Sequence, residues 1–149
     1  MILQLALGMG LIVLTVMIHA IVLDRLIVFT RFYRPQVQKT FHYRGKEFLL
    51  AVIVLGVCGA HILEIWVWAF AYLFIDEIRT LEAALYYSIS TFTTVGYGDI
   101  VLSKLWRVFS SIEAANGMLL FGWSTAFIFE VMRRVWESKA QPVSSPGSS

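Results

Sequence analysis

A short polar loop, Thr93–Asp99, carries the residue types and spacing most able to do chemistry in this chain. Gly96 and Gly98 alternate with Val95 and Tyr97, and glycine reaches left-handed and right-handed backbone angles about equally well. That alternation predicts that successive carbonyl groups point the same way and form a column of oxygen atoms. Long apolar runs flank the loop, and irregular backbone at membrane depth survives only where protein buries it or where it lines a watery path. Several such loops around one axis would make stacked rings of oxygen able to replace the hydration shell of an ion.

The composition is that of an integral membrane protein. Of the 149 residues 58% are hydrophobic and the mean hydropathy is +0.74, whereas soluble domains average about 45–50% apolar. The excess lies in long segments, so we predict an all-α membrane protein with three spanning helices. Three helices cannot line a pore alone, which implies assembly of several copies around an axis. The single cysteine excludes an internal disulfide.

The chain divides into segments of clearly different character. Residues 1–29 predict an N-terminal transmembrane helix, because about 20 apolar residues span a bilayer core. A cleaved signal peptide is the alternative, but no Lys or Arg precedes Arg25 and the apolar run is long. Residues 30–47 form a basic linker with interleaved aromatic residues, in which Pro35 should interrupt any helix. The remaining predicted segments are an outer helix 48–75, a short helix 81–92, the loop 93–99, an inner helix 108–136 and a disordered cytoplasmic tail 137–149.

The short helix is too short to cross a membrane. Its 12 residues would extend about 18 Å at 1.5 Å per residue, so it should be re-entrant. Thr80 can cap its N-terminus, and Glu82 lies in its first turn. Its C-terminal end carries partial negative charge, which would face a cation below the loop.

Basic residues predict the orientation. The linker and Arg25 together hold six Lys or Arg residues and the chain end holds three, whereas the opposite side holds Arg79, Lys104 and Arg107. The side with more Lys and Arg residues is expected to be cytoplasmic. The N-terminus is therefore expected outside, the C-terminus in the cytoplasm and the loop open outwards. The basic linker suits contact with anionic lipid headgroups, and we expect no nucleic-acid partner.

The sequence resembles the pore of potassium channels. Thr94-Val95-Gly96-Tyr97-Gly98 is similar to the filter signature of that family, and Ala84–Phe92 is similar to its pore helix with an aromatic pair. The resemblance covers residues 48–136, the two-helix pore module, to which residues 1–29 add an extra helix. It implies a homotetramer, with a re-entrant pore helix in each subunit, conducting K⁺ in a bacterial inner membrane. An accidental Gly-Tyr-Gly turn between two helices is the alternative.

The resemblance also implies roles for individual residues. The carbonyls of Thr94, Val95, Gly96 and Tyr97, with the Thr94 hydroxyl, would coordinate K⁺, and Gly98 completes the filter. The Tyr97 ring would point away from the ion and brace the loop, with Tyr87 and Asp99 as expected partners. The further residues predicted to support the filter are Thr93, Ser90, Glu113 and Glu64. A proline usual after the Gly-Tyr-Gly-Asp stretch is missing here, where Ile100 stands.

Several polar and glycine residues lie inside the predicted spanning helices. Similar helical depths predict that Glu64 and Glu113 form one cluster near Ser90 that steadies the filter. Asn116 shares a helix face with Glu113 and is expected beside it. The alternative for Asn116 is a position lining the cavity. Gly117 and Gly122 are candidates for a gating hinge, since a glycine near this point permits bending in the family; the alternative for both is close helix packing.

Other function classes have less support. The sequence shows no nucleophile motif, and His19, His42 and His61 are far apart, so we expect no enzyme, no metal-ligand cluster and no cofactor besides permeant K⁺. His19 is expected to be a packed or interfacial side chain, with a metal or proton role as the alternative. Arginine at every third position, which a voltage sensor needs, is missing, so steep voltage gating is not expected. The alternatives are a weakly selective cation channel and an accessory subunit of another channel.

Overall fold

The computed structural model describes residues 2–40 and 45–137, and for residues 34–40, 136 and 137 it describes the backbone alone. The described residues form four helices: α1 (Ile2–Thr40), α2 (Gly45–Phe74), α3 (Leu81–Phe92) and α4 (Arg107–Glu137). Three of them contain spans long and apolar enough to cross a membrane, at Ile2–Tyr33, Gly45–Phe74 and Arg107–Val135. The prediction of an all-α membrane protein with three spanning helices and one short helix is confirmed.

Helix α1 is longer than the sequence indicated. We expected a linker from residue 30 and an interruption at Pro35, but the helix continues to Thr40. That expectation was wrong because the φ of proline, near −65°, lies in the helical range; the lost hydrogen bond and the clash with the preceding turn weaken or bend a helix without always ending it. Residues 41–44 of the predicted linker and 138–149 of the predicted tail lie outside the described residues.

Helix α3 has the predicted bounds and the predicted cap. Thr80 has extended backbone angles (φ −117°, ψ 143°), and its hydroxyl oxygen accepts from the Ala83 N–H at 3.3 Å. This satisfies one of the N–H groups left unpaired at a helix start. Glu82 lies in the first turn, where the helix dipole favours a negative charge.

Aromatic side chains pack the short helix between α2 and α4. Trp68 and Tyr72 on α2 are fully buried against Phe109 on α4, with ring centroids 5.2 and 5.7 Å apart. Tyr87 on α3 meets the Tyr72 ring edge-on at 4.9 Å. A smaller apolar cluster of Leu49, Ile53, Val131 and Val135 joins the other ends of α2 and α4.

Helix α1 packs along both α2 and α4. Leu26 fills the space beside Gly56, where a Cβ would lie 2.5 Å from its methyl group. The outer surfaces of the spanning helices remain apolar: Leu55, Met118 and Leu119 are each more than 60% exposed. Such surfaces suit lipid tails or other copies of the chain, and they are unusual for a protein surrounded by water.

Candidate functional site

The Thr93–Asp99 loop has alternating backbone handedness. Thr94, Gly96 and Gly98 have positive φ values of 62°, 52° and 78°. The two glycines were expected to use this freedom. Thr94 was not, because a β-branched residue rarely adopts positive φ. Such a conformation costs of order 1–3 kcal/mol and persists only where the surroundings hold it.

Residues of α3 hold the loop from one side. The Thr94 N–H donates to the Thr91 carbonyl at 2.9 Å, and the Gly96 N–H donates to the Ser90 carbonyl at 3.1 Å. The Ser90 hydroxyl accepts from the Tyr97 N–H at 3.4 Å. Ser90 therefore contacts the loop through both its backbone and its side chain, and the Thr91 carbonyl holds the strained backbone of Thr94.

Tyr86 braces the outer end of the loop. Its hydroxyl donates to Asp99 at 2.7 Å, and its ring stacks on Tyr97 with centroids 6.4 Å apart and planes 6° from parallel. The hydrogen bond from Tyr86 lowers the pKa of the Asp99 carboxyl, and the same bond raises the pKa of Tyr86. We expected Tyr87 in this position. Within the chain that was wrong, because residues 86 and 87 lie about 100° apart on a helix and Tyr87 faces Tyr72 on α2.

The other side of the loop is open within a single chain. Residues 94–99 are all exposed, and the Val95 and Tyr97 side chains are 53% and 72% exposed. A structured, apolar and exposed loop at the end of a buried helix needs further contacts to hold its shape. The single chain therefore supplies one wall of the site, and its carbonyl face remains available.

Glu113 of α4 lies behind the short helix. It accepts a hydrogen bond from the Tyr72 hydroxyl and lies 2.5 Å from the Ser88 hydroxyl, which also lies 2.9 Å from the Ile65 carbonyl. We expected Glu113 near Ser90 and in one cluster with Glu64. That was wrong because Ser88 and Ser90 lie about 200° apart around α3, so Ser88 faces α2 and α4 while Ser90 faces the loop.

Counting protons assigns the charge state of Glu113. Three contacts join Tyr72, Glu113, Ser88 and the Ile65 carbonyl, and each hydrogen bond needs one proton. The two hydroxyl groups supply two protons. If each contact is a full hydrogen bond, the third proton comes from the carboxyl group of Glu113, which then donates to Ser88 while Ser88 donates to Ile65. A neutral carboxylic acid supplies one proton for every contact, whereas with a carboxylate the single Ser88 proton would be shared between two acceptors.

Glu64 belongs to a second buried group, which we call the His–Glu–Ser cluster: His19, His61, Glu64 and Ser124. The Nδ1 atoms of His19 and His61 lie 2.7 and 2.9 Å from the two carboxylate oxygens of Glu64. Their Nε2 atoms lie 3.2 and 3.0 Å from the Ser124 hydroxyl oxygen. The expectation that the histidines are too far apart for a metal-ligand cluster was therefore wrong for His19 and His61. Glu64 does not contact the filter loop in this chain.

Asn116 faces α1. It is 2% exposed, and its Nδ2 donates to the Thr15 hydroxyl at 2.8 Å. Thr15 accepts here because its own hydroxyl hydrogen is directed to carbonyls of its helix, at 2.9 Å for Leu11. The alternative of a cavity-lining position for Asn116 is therefore wrong, since α1 occupies that side of α4.

Gly117 lets α4 approach the end of the short helix. A Cβ at this position would lie 2.1 Å from the Phe92 carbonyl oxygen, which is closer than any real contact. A Cβ at Gly122 would meet no atom of the described part of the chain within 4 Å beyond its own helical turn. Close packing thus accounts for Gly117, and the gating hinge at either glycine remains a prediction.

Comparison with known proteins covers this same region. Residues 60–134 match a family described as ion channels, which is half of the chain and contains α3, the loop and most of α4. This chain belongs to the ion channel family. Over 57 residues it is 42% identical to the voltage-gated potassium channel Kch of Escherichia coli (strain K12), a stretch covering 38% of this chain and 14% of that protein. No solved structure matches the chain.

Membership of the ion channel family explains the arrangement of the matched residues. In this ion channel the short helix α3 carries the loop, while α2 and α4 flank it, as expected of a pore module. Helix α1, which supplies His19 and Thr15, lies outside the matched residues. The chain spans only about a seventh of the length of the relative it matches.

Proposed function

We propose that four copies of this chain form a potassium-selective pore through which K⁺ crosses the membrane passively. The observation that carries the proposal is the alternating positive φ of Thr94, Gly96 and Gly98. When every second residue has left-handed angles, successive carbonyls can face one side of the strand. Four such loops around an axis would make rings of carbonyl oxygen, which is how potassium channels replace the hydration shell of the ion.

The exposed face of the loop supports assembly. Val95 and Tyr97 are more than half exposed in the single chain, although the loop is anchored to buried elements. Neighbouring copies would cover these side chains and leave the carbonyls of Thr94, Val95, Gly96 and Tyr97 around the axis. The stack of Tyr97 on Tyr86 would then set the width of each ring from outside.

Glu113 would support the filter indirectly. Through Ser88 it fixes the rotation of α3, and Ser90 on the opposite face of that helix holds the loop. A neutral hydrogen-bonded carboxyl group is suited to this position because it adds no net charge to the membrane interior. The C-terminal end of α3 would direct its partial negative charge towards a cation below the filter.

The remaining features of the proposal concern gating and orientation. Arg31 and Arg34 have the spacing of voltage-sensing arginines, but two charges at the end of α1 cannot supply steep voltage dependence. The basic residue count supports a cytoplasmic C-terminus with the filter opening outwards, and the membrane we propose is a bacterial inner membrane. Anionic lipid headgroups would contact the basic end of α1.

A liposome assay tests the proposal. The purified chain should release K⁺ from loaded vesicles, and Gly96→Ala should reduce this flux at least about tenfold, because alanine is strained at positive φ and the ring geometry would change. Gly10→Ala is the matched control, since a Cβ at Gly10 would meet nothing within 4 Å. Native mass spectrometry should give a homotetramer.

The two alternatives predict different results. A weakly selective cation channel would release Na⁺ as fast as K⁺. An accessory subunit would give no flux alone and would purify with another channel. Equal flux through wild type and Gly96→Ala would contradict the assignment of the loop as the filter.

A further inference from the structure

The His–Glu–Ser cluster takes no part in the conduction proposed above. Its four side chains come from three helices: His19 from α1, His61 and Glu64 from α2, and Ser124 from α4. His19 and Glu64 are fully buried, and His61 and Ser124 are 7% and 4% exposed. Burying this many polar groups inside a membrane protein is costly unless they hold one another or a ligand.

The position of Ser124 decides which histidine nitrogens are free to bind a ligand. A hydroxyl oxygen has two lone pairs, and this one lies 3.2 and 3.0 Å from the two Nε2 atoms. It can therefore accept an N–H from each ring. Both rings would then carry their hydrogen on Nε2, which leaves the Nδ1 lone pairs directed at Glu64.

That tautomer places three electron-pair donors together. The two Nδ1 atoms each lie within 3 Å of a different carboxylate oxygen of Glu64. With no proton between them these atoms would repel one another, and a metal cation lying among them would remove that repulsion. Two imidazoles and one carboxylate form a ligand set typical of zinc sites, and imidazole disfavours Mg²⁺ and Ca²⁺.

We propose that His19, His61 and Glu64 bind a divalent transition-metal ion of the Zn²⁺ class, with Ser124 as the outer hydrogen-bonding partner that positions both rings. The candidate ligand atoms lie within 4.8 Å of one another. A tetrahedral ion with bonds of about 2.0–2.1 Å holds its ligand atoms roughly 3.3 Å apart. Small side-chain rotations would bring the three ligand atoms from their observed positions to this tetrahedral spacing. A fourth coordination position remains for water or another ligand.

Such an ion would join α1 to the pore module. His19 lies on the helix outside the region matched to the ion channel family, whereas the other three residues lie within it. The His61 ring also packs 4.5 Å from Phe121 and 5.9 Å from Phe92, the last residue of α3 before the filter. Metal binding would thus fix both α1 and the aromatic packing beneath the filter, and this effect on the filter rests on the proposed function.

Metal analysis of the purified full chain tests the site without requiring conduction. The chain is treated with a chelator in detergent, equilibrated with Zn²⁺, separated from free metal and analysed by mass spectrometry for zinc. We expect one zinc ion per chain. Co²⁺ in place of Zn²⁺ should give the intense visible absorption of a tetrahedral site. Both readouts use the wild-type chain, so they do not depend on the folding of any variant.

Substitutions assign the ligands. His19→Ala, His61→Ala and Glu64→Gln should each weaken binding by about 100-fold or more, and Ser124→Ala by roughly 10–100-fold, as for outer partners in other metal sites. His42→Ala removes the third histidine of the chain and should leave binding unchanged.

The competing arrangement is a closed ring of hydrogen bonds with four protons, one for each contact, and no metal. It would give less than about a tenth of a zinc ion per wild-type chain under conditions that saturate an ordinary structural site. That result would overturn the proposal. Unchanged zinc affinity in both histidine-to-alanine variants would overturn it as well.

Discussion

Replacing Glu113 tests whether the carboxyl group behind the pore helix is neutral. Glu113→Ala removes the acceptor of the Tyr72 hydroxyl, which is fully buried. An unpaired buried hydroxyl costs about 1–3 kcal/mol, and the lost methylene adds about 0.8 kcal/mol before any cavity term. We therefore expect a loss of about 3 kcal/mol in the free energy of unfolding.

Glu113→Gln should behave differently. The amide NH₂ can donate to Ser88 and the amide carbonyl can accept from Tyr72, so all three contacts keep a proton. The expected change is below about 1 kcal/mol, since only the strength of the hydrogen bonds differs. Glu130→Gln is a matched control on the same helix, because Glu130 pairs with Arg133 and Arg134 at the surface, where ion pairs contribute little.

The thermal unfolding midpoint of the purified protein in detergent measures these differences. A loss of about 3 kcal/mol corresponds to a shift of roughly 6–12 °C for a chain of this size. In the double variant Glu113→Ala/Tyr72→Phe the unpaired hydroxyl is gone, so the combined cost should be smaller than the sum of the two single costs. If Glu113→Gln lowers the midpoint as far as Glu113→Ala, Glu113 is charged and the proton count is wrong.

Three further outcomes are expected. Gly117→Ala should destabilise the protein by about 1–3 kcal/mol, because the new Cβ would overlap the carbonyl oxygen at the end of α3; Gly122→Ala is the control, and equal midpoints for the two would contradict the packing role. The Tyr86 hydrogen bond lowers the pKa of Asp99, so its stabilising effect is present above the ordinary pKa of aspartate and is lost as pH falls through the lowered value. Tyr86→Phe should therefore raise the titration midpoint of Asp99 in carbon NMR, and an unchanged midpoint would refute this cause. Thr15→Val removes the acceptor of a buried asparagine amide on α4 and should lower stability by about 1–3 kcal/mol, measured as increased protease cleavage of α1; cleavage at the wild-type rate would show that this contact does not hold α1.

Local signals in the sequence predicted most of the fold. The start of α3 followed from its capping residue Thr80, and its end followed from the loop that begins at Thr93. The three spanning helices followed from their apolar runs. These features depend on neighbouring residues along the chain. The extension of α1 through Pro35 was missed because one proline reduces helix stability without excluding a helix.

The rotation of each helix could not be predicted in the same way. Tyr86 and Tyr87, or Ser88 and Ser90, differ by only one or two positions, and which of them faces the loop depends on how α3 packs against α2 and α4. Depth along the membrane placed Glu64 and Glu113 at similar levels, but depth does not specify the face. Tertiary packing therefore decided which polar residues meet.

One contact was available from the sequence and was missed. In an antiparallel pair of helices, the residue numbers of facing residues add up to a nearly constant value. Leu26 of α1 faces Gly56 of α2, which sets that value for this pair. His19 and Glu64 satisfy this relation. Two oppositely charged or hydrogen-bonding side chains at matching positions of adjacent spanning helices therefore predict a buried pair.

The most direct test of the central claim is a bi-ionic reversal potential in a planar bilayer, with K⁺ on one side and Na⁺ on the other. If the Thr94–Gly98 loops form an intact ring of carbonyl sites, the reversal potential should lie far from zero, with the K⁺ side negative so that it opposes the flow of K⁺. A conducting protein whose current reverses near zero would contradict the account, because the loop would then fail to distinguish the two ions.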